Sequence, residues 1–65
     1  MNAFAECRKR AGLTQAEAAE LLQVERSTVA KWEIGAAMPR AETLRAVAKT
    51  YQCSLEELLA CEKAV

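Results

Sequence analysis

Apolar residues in this chain recur at three- and four-residue intervals, in runs too short for anything but small helices. The first run predicts a helix from about Asn2 to Arg10, with Phe4, Ala5 and Cys7 or Arg8 turned inward. Gly12 follows as the left-handed stop that a helix C-terminus favours. A second helix is expected over Gln15 to Leu22, with Ala18, Ala19, Leu21 and Leu22 on its buried face. Thr14 caps it, and Glu17, three residues on, is the reciprocal partner of a capping box. A third covers Arg26 to Ile34, with Val29 and Trp32 inward, and closes at Gly35. Pro39 limits how far the loop before it can be helical. A fourth runs from Ala41 to Tyr51, with Leu44, Val47 and Ala48 at helical spacing. The last begins after Ser54, a second cap paired with Glu57, and presents Leu55, Leu58 and Leu59. The pattern predicts an all-α chain of five helices, a compact single domain over residues 1–65.

Composition narrows the picture. At 65 residues the core is small, and a domain of this size folds alone with little margin. Much of its apolar content is alanine, so helices can approach closely while each contact stays small. No apolar run is long enough to span a bilayer. Met1 to Arg10 has no secretory pattern. The three cysteines, Cys7, Cys53 and Cys61, lack C-x-x-C spacing, and there is no histidine. Buried thiols in a reducing cytoplasm fit better than a disulfide framework or a zinc site. No metal or other cofactor is expected. Nor is enzyme activity, since no nucleophile–base pair, phosphate loop or metal constellation is present.

The formal net charge is zero, which at first argues against an anionic partner. Its distribution matters more. Arg8, Lys9, Arg10, Arg26, Lys31, Arg40, Arg45 and Lys49 outnumber the acids before Gln52, whereas Glu56, Glu57 and Glu62 make the tail acidic. Local cation placement, not total charge, sets contact with phosphates.

The stretch from Thr14 to Gly35, TQAEAAELLQVERSTVAKWEIG, is the most specific feature. Two short helices joined by a tight turn form the unit that offers its second helix to a DNA major groove. Ala11-Gly12-Leu13-Thr14-Gln15, then Ser27-Thr28-Val29, Trp32-Glu33, Gly35 and Pro39, then Ser54-Leu55-Glu56-Glu57-Leu58-Leu59 follow in order. Together they resemble the Cro/repressor-type helix-turn-helix family (XRE-like, lambda-repressor-like) over roughly residues 3–60.

The resemblance implies a compact five-helix lambda-repressor-like domain that binds double-stranded DNA. It gives base-contacting roles to Arg26, Ser27 and Lys31. Arginine and lysine suit guanine O6 and N7, and serine is permissive. Their alternative is an ordinary solvated helix face. Glu25 either accepts from cytosine N4 or caps the third helix and favours its dipole; capping is preferred. Gln15 stands at the family's phosphate position, against the alternative of a solvated side chain. Arg40 is a further backbone candidate, evenly balanced against solvation. Arg8 and Glu33 match a pair that ties the third helix to the first, a structural role. Trp32 reads as core rather than as a base-stacking ring.

Three departures from the family pattern stand out. Gln23 occupies a turn position where glycine is common. Ile34 replaces a common asparagine before Gly35, which puts one phosphate hydrogen bond in doubt. Ala18 is smaller than the usual leucine.

The function expected is a sequence-specific transcriptional regulator, a cytoplasmic repressor acting as a homodimer. Dimerisation, concentration or a regulatory protein partner would control it. Leu55 and Leu58 are assigned to the core, and Leu59, Cys61 and Val65 to the dimer face. The alternative is a protein-interaction module of the same fold, an antitoxin-like or anti-repressor partner.

Overall fold

The computed structural model describes residues 3–63, with side chains for residues 3–59. Five helices account for the described chain: α1 Ala3–Arg10, α2 Gln15–Leu22, α3 Arg26–Ile34, α4 Ala41–Tyr51 and α5 Leu55–Lys63. There is no strand among the described residues. The expected start at Asn2 and the dimer-face residue Val65 lie outside them. The side chain of Cys61 does as well.

Caps explain why the boundaries fall where they do. Thr14 Oγ1 accepts from the Glu17 N–H at 3.0 Å, and Glu17 Oε1 accepts from the Thr14 N–H at 2.9 Å. Ser54 and Glu57 repeat this at α5, at 3.1 and 3.0 Å. Each box satisfies two backbone donors that a helix start leaves open.

The ends of α1 to α4 share one closure. A left-handed residue lets two N–H groups reach back to the last turn, as with Gly12 to the Lys9 carbonyl and Leu13 to the Arg8 carbonyl. Gly35 serves α3. Gln23 (φ +60°) and Gln52 (φ +57°) serve α2 and α4, where a side chain makes the conformation costly. The turn of the helix-turn-helix thus keeps its geometry without the glycine.

The core joins all five helices. Phe4, Cys7, Ala18, Ala19, Val29, Trp32, Val47, Ala48, Tyr51 and Leu58 form one buried cluster, with Leu13, Leu22, Val24, Leu44 and Cys53 against it. Phe4 and Trp32 meet with ring centroids 6.1 Å apart and planes tilted by 42°, a favourable aromatic separation. This is the core role expected of Trp32. Ala18 and Ala19 bring α2 onto α3 and α4 with almost no side chain between.

Two expected core residues are not buried. Leu21 is 61% exposed. It shares a face with Glu17, one turn earlier and in solvent, whereas Ala18 and Leu22 share the inward face. Leu55 is 40% exposed and Leu58 only 1%. Leu55 opens α5 directly after its cap, so the face that meets α1 and α4 begins a turn later. Leu59, assigned to a partner, is half-buried.

Candidate nucleic-acid interface

Helix α3 has two unlike faces. Val29 and Trp32 are buried. Arg26, Ser27 and Lys31 are exposed. Ser27 and Lys31 stand one turn apart on one face, and Arg26 projects from the first turn. Among the described residues neither Arg26 nor Lys31 is in an ion pair. Their charges are open to an external anion or base edge.

Glu25 occupies the N-cap position of α3, with extended backbone (φ −82°, ψ 151°), but its side chain makes no capping hydrogen bond. The preferred capping role therefore fails as a hydrogen bond. A glutamate carries one more methylene than aspartate, and Glu25 stays in solvent. The backbone does the work: the Thr28 and Val29 N–H groups donate to the Glu25 carbonyl at 2.9 and 3.3 Å.

Behind this face lies a polar network spanning α1, α2 and α3. Arg8 Nε donates to Glu33 Oε2 at 2.6 Å and Nη2 to Glu33 Oε1 at 3.3 Å. Arg8 Nη1 donates to the Leu13 carbonyl at 2.7 Å. The side chains of Arg8 and Glu33 are only 10% and 8% exposed. The pair expected from the family pattern is thus formed and shielded. Hydrogen bonding to Glu33 raises the guanidinium pKa further, outweighing the opposite effect of burial.

Gln15 joins the same network. Its Nε2 donates to Glu33 Oε1 at 2.9 Å, and the residue is half-buried. It is neither freely solvated nor simply presented to a phosphate. Nothing in the sequence signals this bond, because its partners lie 18 positions apart. Tyr51, at the end of α4, lies within electrostatic reach of Arg8 and Glu33, and its hydroxyl has no hydrogen-bond partner among the described residues. Burial, with Glu33 adding to it, pushes that phenol up to about 12.

At the end of α3, Ile34 is apolar where the family pattern is polar. Ile34 is 78% exposed, and Met38 in the following loop is exposed too. Arg40 is exposed and forms the N-cap of α4 through its backbone alone. Cys7 and Cys53 are free thiols. Burial and the neighbouring Cys7 push the Cys53 thiol up to about 12, which disfavours the nucleophilic thiolate. No group of three or more His, Cys, Asp or Glu among the described residues could hold a metal ion. No helix of the described residues is long and apolar enough to cross a membrane.

Comparison with known proteins agrees with this architecture. The helix-turn-helix family model matches residues 4–58. The chain is 38% identical over 53 residues to the HTH-type transcriptional activator BcrR of Enterococcus faecalis. That alignment covers 82% of this chain and 26% of BcrR, so the chain spans about a quarter of its relative's length. No solved structure matches. With α2 and α3 as the paired helices of a lambda-repressor-like fold, the chain belongs to the XRE-like helix-turn-helix family.

Proposed function

We propose that the chain binds double-stranded DNA in a sequence-specific way and regulates transcription. The observation that carries this reading is the contrast across α3. Its outward face offers Arg26, Ser27 and Lys31, with both cations free of carboxylates among the described residues, while its inward face is fixed by core and network. With the N-terminal part of α3 in the major groove, Arg26 and Lys31 donate to guanine O6 and N7 and Ser27 accepts several bases. Gln15 and Arg40 contact phosphates and set the register. Glu25, exposed and free of a capping bond, is available to a cytosine amino group.

One module touches few base pairs. A homodimer on two half-sites about 34 Å apart supplies the missing specificity. Leu59, Cys61 and Val65 are the proposed dimer face. Occupancy of a promoter gives repression as the proposed outcome, in the cytoplasm. The relative's name says activator, and a test must score both signs.

A gel shift against random genomic fragments over a range of salt tests the reading. DNA binding predicts a shift at low salt that weakens steeply as salt rises, from release of counterions. No shift from folded protein contradicts it. A second reading, a protein-interaction module of antitoxin-like or anti-repressor type, draws support from Ile34 and Met38. These place apolar surface beside the proposed phosphate track. Under that reading a regulatory protein takes the place of DNA.

A further inference from the structure

We infer that Glu33 is a positioning residue for the DNA-backbone contact of Gln15. The inference rests on the assignment of Gln15 to a phosphate proposed above, and it gives Glu33 a part beyond joining α1 to α3.

A glutamine amide can present either its oxygen or its nitrogen to a neighbour, and rotation by half a turn exchanges them. A carboxylate is acceptor-only, so it selects the nitrogen. Gln15 Nε2 donates to Glu33 Oε1 at 2.9 Å, and Glu33 sits at the end of the proposed reading helix. One N–H of the amide is thereby committed, and the second remains for an external acceptor. A phosphate oxygen can only accept, so it needs that second N–H. The carboxylate thus fixes the amide in the orientation an anion requires.

Two features make the arrangement rigid. Oε1 of Glu33 also accepts from Arg8 Nη2 at 3.3 Å, while Oε2 accepts from Arg8 Nε at 2.6 Å, so both carboxylate oxygens are held. Arg8 in turn is anchored on the Leu13 carbonyl at 2.7 Å, two residues before Gln15. The Arg8 cation also offsets the Glu33 charge, which would otherwise repel a nearby phosphate. The same three residues therefore fix the angle of α3 and the first donor of α2 together. The backbone contact is pre-organised in the free protein, with little ordering left to be done on binding.

The test is a double-mutant cycle on a duplex of random sequence at low ionic strength, because a phosphate contact does not depend on sequence. The variants are Gln15→Ala, Glu33→Gln and both together, each corrected for its folded fraction. In the wild-type background Gln15→Ala should weaken binding roughly tenfold, the scale of one hydrogen bond to a charged group. In the Glu33→Gln background it should weaken binding less than about twofold, because an amide at position 33 can donate as well as accept and no longer selects the Gln15 nitrogen. A purely structural Glu33 lowers stability but leaves the Gln15→Ala factor the same in both backgrounds, and that result overturns the inference. Absence of duplex binding by folded wild-type protein instead removes the DNA reading itself.

Should Glu33→Gln fail to fold, the wild-type protein alone decides. In its NMR spectrum, one Gln15 side-chain amide proton should be shifted downfield and slowed in solvent exchange by its bond to the Glu33 carboxylate, and the other should shift when the duplex is added. Two amide protons that both shift and exchange like those of a solvated glutamine, or a second proton that DNA does not move, reject the positioning role.

Discussion

The two faces of α3 show how one helix of nine residues divides its labour. The inner face is crowded with obligations: Val29 and Trp32 in the core, and Glu33 held by α1 and α2. The outer face has none. Arg26, Ser27 and Lys31 are exposed, and the structure would be served as well by other polar residues there. Inner positions therefore report on stability and outer positions on recognition. Apart from Glu33, which also orients the Gln15 amide, a substitution that moves both would break the division.

The largest effect is expected on the inner face. Glu33→Ala leaves the Arg8 guanidinium nearly buried and without its carboxylate, a loss of about 3–5 kcal/mol. A domain of this size has a total stability of roughly the same scale. Chemical denaturation should find the variant largely unfolded at room temperature; a wild-type midpoint would refute the role assigned to the pair. Next come the outer residues. Arg26→Ala and Lys31→Ala should each weaken specific DNA binding by roughly 1–3 kcal/mol while leaving Tm unchanged. A fall in Tm with binding intact would reverse the roles of the two faces.

Smaller effects sharpen the contrast at the edges of the motif. Gln23 holds a left-handed conformation in the turn between α2 and α3. Gln23→Gly should therefore stabilise the fold by about 1 kcal/mol, raising Tm by roughly 4–8 °C. No rise in a melting experiment would mean that the turn carries no strain. The surface offers a control in Arg10, two residues after Arg8, which donates to Glu57 at 2.9 Å with side chains 61% and 46% exposed. Glu57→Gln keeps an oxygen for the α5 capping box and should leave the denaturation midpoint within error, since exposed pairs contribute little.

Alkaline pH probes the inner side without mutation. Tyr51 and Cys53 ionise at about 12 in the folded chain, against ordinary values of 10.0 and 9.0. Both stay protonated longer in the folded state than in the unfolded one. Their contribution is thus complete below the ordinary values and is lost as pH rises towards about 12. Urea midpoints should hold steady up to about pH 9 and fall above it; a rise would contradict the sign.

Much of this fold could be read from the chain because its signals are local. Thr14 with Glu17, Ser54 with Glu57, Gly12 and Gly35 mark helix ends within a few residues of themselves. The bounds of α2, α3 and α4 accordingly fall where the pattern puts them. Leu21 and Leu55 were harder, because a short helix has a narrow buried face and apolarity alone does not say which side of it a leucine takes. The Arg8–Glu33 pair came from family resemblance, not from spacing. The Gln15–Glu33 bond had no signal at all, since it depends on how α2 and α3 meet in space. The missing side-chain cap at Glu25 is likewise a matter of reach and rotamer.

The most direct test of the outer face is selection of bound duplexes from a random pool, at low and then near-physiological salt, with wild-type protein and Arg26→Ala. The account predicts an inverted-repeat motif that Arg26→Ala alters at a defined base pair in each half. Folded wild-type protein that enriches no motif would contradict it, and the exposed face of α3 would then belong to a protein partner.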